Sequence, residues 1–309
     1  MKERDAAAVV FIFGQSNAHA HAQSLPVDSR ITEPMRSVFA LDRSPNQSFE
    51  TESVVWSGFT TAGKNLGETQ DHTCSLAYNL AKLWQGAVDF GEALPELYIV
   101  QISVGSQGII NGMWNPDREQ KLVPGVLGEA DISLFPLALR TERLVLRELR
   151  ERGKRPVVIG WHWMGSEQDI WHGAWERDDF IRRYDSFFDA LLEPLGECPV
   201  YIYKLYDQKF CTQNGIPERA VDAVNSALER ECERHPGAVM VMAERCPLWE
   251  ADGEHCGIFA PDNAHYLPEV QRWFAGRFFA DALVRLSPVY IKAEFEKCQF
   301  NKRGAHDVE

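Results

Sequence analysis

Five short apolar runs constrain this chain more than any other feature: residues 8–13 (AVVFIF), 97–103 (LYIVQIS), 156–163 (PVVIGWHW), 199–205 (PVYIYKL) and 238–243 (AVMVMA). They are continuously apolar instead of alternating, which is the pattern of strands covered on both faces. Helical spacing fills the intervals, over residues 75–85, 136–152, 178–192, 218–233 and 268–286. Strands that alternate with helices in this way predict an α/β domain with a parallel sheet and right-handed crossovers. A single domain over residues 1–290 with a weakly patterned tail at 291–309 is the expected organisation, since no internal repeat or low-complexity tract divides the chain. The stretch 23–70 has no clear period and is rich in Ser, Thr, Pro and Gly, so it is expected to be a long loop that forms a wall of the site.

Charge narrows the partners. The 309 residues carry 32 Lys+Arg against 45 Asp+Glu, a formal net charge of −13. No cationic excess exists to displace counterions from a phosphate backbone or to hold an anionic membrane, so neither nucleic acid nor membrane is an expected partner. The first apolar stretch is too short to span a bilayer and has no small-residue cleavage site, which gives a cytoplasmic expectation without a signal peptide. Seven cysteines (Cys74, Cys198, Cys211, Cys232, Cys246, Cys256, Cys298) are widely spaced and include no CxxC pair. Reduced packing thiols fit that spacing better than a disulfide framework or a zinc ribbon.

The first run ends in Gly14-Gln15-Ser16-Asn17, followed by Ala18-His19-Ala20-His21-Ala22. This reads as a strand, a tight turn and the opening turn of a helix. Ligands of open α/β sheets sit at the carboxyl ends of strands, so Ser16 lies at the expected address for a nucleophile. Free N–H groups at such a turn would stabilise an oxyanion, although an ordinary helix N-cap serine has the same local sequence. A serine nucleophile needs a base oriented by a carboxylate. Asp-x-x-His occurs three times, as Asp169/His172, Asp252/His255 and Asp262/His265. The last follows the fifth run and directly precedes Tyr266-Leu267-Pro268, whose proline suits the first turn of the final helix. Its loop is therefore placed at the carboxyl side of the sheet, within reach of Ser16. Asp169/His172 reads more simply as a polar loop with a helix cap.

Taken together, the ordered blocks resemble the sialate O-acetylesterase and acetylxylan esterase branch of the SGNH hydrolases. The blocks are Gly14-Gln15-Ser16-Asn17 after the first run, Gly105-Ser106 with Trp114 downstream after the second, Trp163-x-x-x-Glu167-x-Asp169 after the third, and Asp262-x-x-His265 before the last helix. The resemblance implies a flavodoxin-like three-layer α/β/α sandwich with a five-stranded parallel sheet and a serine hydrolase mechanism that uses no cofactor or metal. It also implies O-acetyl esters of carbohydrates as substrates. Carried over, Ser16 is the nucleophile, His265 the general base and Asp262 its orienting carboxylate. The oxyanion would be held by the N–H groups of Ser16 and Gly105, with Gly165 as the third contributor. Gln15, Asn17, Ser106, Trp114, Glu167 and His255 become candidate substrate contacts.

Two departures from the family pattern stand out. Ser106 occupies the place of a second glycine, and Gly165 that of a glutamine whose amide helps hold the oxyanion. Losing one such donor typically costs about 100- to 1,000-fold in turnover. The Gly165 N–H, the Ser166 hydroxyl and the Asn17 amide are the substitutes available locally. A carbohydrate-binding protein with weakened turnover, or an esterase for other short acyl esters, is the alternative. His19 and His21 point apart if helical, so a metal is not expected there. Trp56, Trp114, Trp171, Trp175 and Trp249 fall in expected loops, where they could stack on a sugar ring, with two or three of them expected in the core. A homo-oligomer remains open.

Overall fold

The computed structural model describes residues 6–20, 34–42, 56–59, 75–117, 133–206, 211, 213–249 and 256–286. The expectations for His21, Asp252, His255, the tail at 291–309 and much of the stretch 23–70 lie outside these residues.

Seven strands form one sheet in the order β3-β2-β4-β1-β5-β6-β7. The strands are β1 (Ala6–Gly14), β2 (Met35–Asp42), β3 (Ser57–Phe59), β4 (Glu96–Ser103), β5 (Arg155–Met164), β6 (Val200–Tyr203) and β7 (Ala238–Val241). All neighbours pair in parallel except β2 and β3, which are antiparallel. The expected five strands are thus β1, β4, β5, β6 and β7; numbered among themselves they lie in the flavodoxin order 2-1-3-4-5. The expectation of five strands is corrected to seven, because β2 and β3 arise inside the supposed loop and extend the sheet beyond β4.

Helices cover both faces. Those with bounds among the described residues are α1 (Leu76–Asp89), α2 (Leu134–Glu151), α3 (Glu167–Trp171), α4 (Phe180–Leu192), α5 (Glu218–Arg234) and α6 (Pro268–Leu286). Strand side chains alternate between two cores as the pleat requires. Val9, Phe11 and Phe13 pack with residues of α2, α4 and α5, whereas Ala8, Val10 and Ile12 pack with residues of α1 and α6. Ser75 caps α1 by accepting the Tyr78 N–H at 3.1 Å, which supplies one of the acceptors that a helix start lacks. The first core is built on aromatic edges. Trp163 meets Trp114 at 5.2 Å and Phe187 at 4.8 Å between ring centroids, both edge-on, the arrangement that ring quadrupoles favour.

The second core holds a buried histidine. His162 stacks on Tyr201, meets Phe278 edge-on and bonds the Tyr203 hydroxyl at 3.0 Å. Burial pushes its pKa down from 6.5 to about 3. The unfolded chain therefore takes up the proton first, and the stability held above about pH 6.5 is lost as pH falls toward 3. Between pH 7 and pH 5 this contribution is about 2 kcal/mol. Urea unfolding of His162→Gln at those two pH values should show a smaller acid loss than the wild type by that amount. Equal losses would mean that another group carries the acid sensitivity.

Candidate active site

The ends of β1, β4 and β5 lie in register, with Gly14 paired to Ser103 on one side and to Met164 on the other. The chain order reverses at β1, so these ends frame the crevice where open α/β sheets place ligands. Gly14 has φ +151°, and a Cβ there would sit 1.9 Å from the Met164 carbonyl oxygen. Only glycine allows that approach. Two bonds secure it: Gln15 N–H donates to Met164 O at 3.1 Å, and Trp114 Nε1–H donates to Gly14 O at 2.9 Å.

Ser16 follows, half-buried, in a run of turns that extends to Ala20. The helical opening expected here is corrected: Ala18 N–H bonds Gln15 O at 2.9 Å, and Ala20 takes a left-handed φ of 57° that breaks helical continuation. Gly105 lies against this serine, since a Cβ on it would be 3.7 Å from the Ser16 Cβ. The next residue, Ser106, is exposed and holds φ +59°. That is the left-handed geometry a glycine adopts freely, so the serine replaces glycine at modest strain.

The Asp262–His265 loop faces the same crevice edge through Asn17. His265 Nδ1 lies 2.8 Å from Asp262 Oδ2, while Asp262 Oδ1 accepts the N–H groups of Ala264 and His265 at 3.0 and 3.1 Å. Burial raises the Asp262 pKa, but hydrogen bonds from the Ala264 N–H, the His265 ring and the His265 N–H outweigh it and hold the carboxyl below its ordinary range. The carboxylate is thus ionised and directed at Nδ1, which leaves Nε2 as the nitrogen to take a proton. Asn17 joins this loop to the serine turn. Its Nδ2 donates to Ala264 O at 3.3 Å, and its Oδ1 accepts the Tyr266 N–H at 3.0 Å, so it binds the residues on either side of His265.

The block after β5 works mostly from beneath. Asp169 is fully buried and accepts the N–H groups of Ile109 and Ile110, both at 3.0 Å, and the Tyr184 hydroxyl at 2.9 Å. It thereby anchors the loop that carries Gly105. A Cβ on Gly108 would lie 2.4 Å from Asp169 Oδ1, so that glycine admits the carboxylate. Burial raises the Asp169 pKa against the opposing pull of these bonds. Asp169→Ala would strand two N–H groups and a hydroxyl in the core, and urea unfolding should register a loss of about 3–5 kcal/mol. A loss below about 1 kcal/mol would contradict the anchoring role.

Several sequence expectations are corrected. Trp114 is no stacking platform: it is fully buried under the serine turn and its Nε1–H is engaged by Gly14. Among the five loop tryptophans it alone is fully buried, while Trp56, Trp175 and Trp249 are half-buried against the cores. Ser166 cannot replace the family's amide, because its hydroxyl is fully buried, accepts from Trp163 Nε1 at 3.0 Å and bonds Tyr184. Gly165 adjoins the crevice, but a Cβ there would lie 2.9 Å from Trp163 Cζ2. A glutamine at this position would require the indole to move. Of the Asp169/His172 pair, Asp169 is the buried anchor, and His172 is exposed and bonded to Gln168.

Of the remaining candidates, Gln15 and Glu167 are buried, and His19 is buried with Nδ1 3.2 Å from Ser103 Oγ. Glu167 Oε1 accepts from Asn17 Nδ2 at 2.8 Å, and Oε2 has no partner among the described residues. Burial raises the Glu167 pKa more than the Asn17 bond lowers it. The sequence reading missed Gln271, fully buried on α6, whose Nε2 donates to Asn17 O at 2.8 Å. A signal existed: Gln271 falls among Val270, Phe274, Ala275 and Phe278 on the buried face of that helix, where a polar side chain needs a partner.

No protein-family model matches the sequence, and no curated protein matches it at a significant level. Solved structures do share the architecture. NanS is 17% identical with a TM-score of 0.59, over 92% of this chain and 98% of that one. A protein from Arabidopsis thaliana is 14% identical with a TM-score of 0.54, over 91% and 99%. These likenesses show the fold: a three-layer α/β/α sandwich.

Proposed function

We propose that this chain is a serine esterase that removes O-acetyl groups from a carbohydrate through an acetyl-enzyme intermediate. The observation that carries the reading is the joining of the Asp262–His265 pair to the Ser16 turn through Asn17, with Gly105 packed on Ser16. Ser16 Oγ attacks the ester carbonyl carbon while His265 Nε2 takes its proton. The N–H groups of Ser16 and Gly105, with that of Gly165 alongside, hold the oxyanion. The C–O bond to the sugar then breaks, and His265 returns the proton to the departing alcohol. A water molecule deprotonated by the same imidazole attacks the acetyl-enzyme, releasing acetate and restoring Ser16. The crowding of Gly165 by the Trp163 ring supports an oxyanion site built from backbone donors, without the amide of the resembled family.

Two measurements test this. A fluorophosphonate should label Ser16, which separates an esterase from a carbohydrate-binding protein that has lost turnover. With p-nitrophenyl esters, acetate should exceed octanoate in kcat/KM by about 100-fold or more, since a dense wall has no room for a longer acyl chain. A preference for octanoate would sink the deacetylase reading. Acetate release from a panel of acetylated sugars would then identify the alcohol side.

A further inference from the structure

Asn17 and Glu167 lie beside the proposed nucleophile, yet their bonds run into the protein. Asn17 is 2% exposed and contacts three chain segments at once. Its side-chain amide holds Glu167 Oε1 after β5, and Ala264 O and Tyr266 N–H around His265, while its backbone carbonyl receives Gln271 Nε2 from α6. Glu167 is buried on the far side of this amide. We propose that Asn17 and Glu167 form one strut that sets the position of Ser16 relative to His265, and that neither is a substrate contact.

The strut follows from the connectivity. Ser16 and Asn17 are adjacent, so rotation or slippage of the Asn17 amide displaces the serine hydroxyl directly. The amide in turn is oriented by its acceptors, with Glu167 Oε1 at 2.8 Å the shorter and Ala264 O at 3.3 Å the longer. Glu167 fixes which way the Nδ2 group points and so which way Oδ1 meets the Tyr266 N–H. Burial raises the Glu167 pKa, and Oε1 is the acceptor that orients the Asn17 amide. A positioning error of about 1 Å at a nucleophile costs about 100-fold.

The proposal rests on the reading of Ser16 as nucleophile and His265 as base, and its test keeps the two separable. Asn17→Ala, Glu167→Ala, the double variant and Glu167→Gln are compared with wild type for kcat, KM and the rate of fluorophosphonate labelling. Each alanine variant should lower kcat and labelling about 100-fold with KM within about threefold, and the double variant should be no worse than the weaker single. Glu167→Gln, which retains an acceptor oxygen, should recover most of the rate. A raised KM at intact kcat would overturn the proposal in favour of substrate contact, and multiplicative losses in the double variant would overturn the single strut. Hydrogen exchange at the Tyr266 amide gives an independent reading, since Asn17→Ala should accelerate it about tenfold or more. Should wild-type Ser16 take no label, the esterase reading would fall, and the strut would be judged on Tyr266 alone, with unchanged exchange overturning it.

Discussion

Ser16→Ala is expected to remove acetyl-ester hydrolysis by about 10⁵- to 10⁶-fold and to abolish covalent labelling, while the thermal midpoint moves by no more than about 2 °C. The separation arises because the loss is chemical. Ser16 is only half-buried, and the turn that carries it is closed by backbone bonds, Gln15 N–H to Met164 O and Ala18 N–H to Gln15 O, which survive the truncation. His265→Ala should fall by a similar factor, and the double variant no further, because nucleophile and base act as one unit. Asp262→Asn should cost less, about 10⁴-fold, by a different route. The new amide keeps an oxygen for the Ala264 and His265 N–H groups but presents N–H groups to Nδ1, which favours the tautomer that cannot take the serine proton. His172→Ala, at an exposed residue bonded to Gln168, should match wild type. A His172→Ala loss equal to that of Ser16→Ala would refute the choice of base, and labelling that moves to Ser106 would refute the choice of nucleophile.

β1, β4, β5 and β6 are legible in the sequence because an inner strand covered on both faces has to be apolar nearly throughout, and β7, an edge strand with Val239 exposed, is legible because its run is equally apolar. β2 and β3 are not legible. β2 interrupts its apolar positions with Arg36 and Ser37, and β3 is three residues long, so neither rises above its Ser- and Pro-rich surroundings. The alanines and histidines after Asn17 have the composition of a helix start, but the bonds that the Asn17 and Ala18 carbonyls accept from Gln271 and Gln101, and the left-handed φ of Ala20, override that local preference. Trp114 escapes the sequence reading because position in a loop says nothing of depth: the loop folds under Gly14 and takes the indole into the core. Asp169 shows the same limit for polar groups. Its partners Ile109 and Ile110 lie about sixty residues away, and pairing at that separation leaves no period to read. For the candidate site, residue types are readable, since Ser16, Asp262 and His265 follow from local pattern and resemblance. The bonds that join their loops, through Asn17 and Gln271, require the fold.

Gly14→Ala should be the most damaging single methyl group in the chain's central strands, costing about 3–5 kcal/mol in urea unfolding, at the upper end for overpacking. The added Cβ would lie 1.9 Å from Met164 O, 2.6 Å from its carbonyl carbon and 3.0 Å from the Ala18 Cβ, at a φ of +151° that alanine avoids. The Met164 backbone and the short Ala18 methyl group leave no flexible side chain to yield, so the ends of β1 and β5 must part. That movement breaks the bond from Gln15 N–H to Met164 O, loosens the Trp114 bond to Gly14 O and shifts Ser16, the next residue but one. Activity should therefore fall about 100-fold or more even in the fraction that stays folded. Gly91→Ala supplies the comparison, because Gly91 has φ +100° and, among the described residues, nothing lies within 4 Å of where its methyl group would sit. It should carry backbone strain alone, about 1–2 kcal/mol, with turnover unchanged. If Gly14→Ala proved no more harmful than Gly91→Ala in both stability and rate, the close approach of β1 to β5 would not be what holds the serine turn in place.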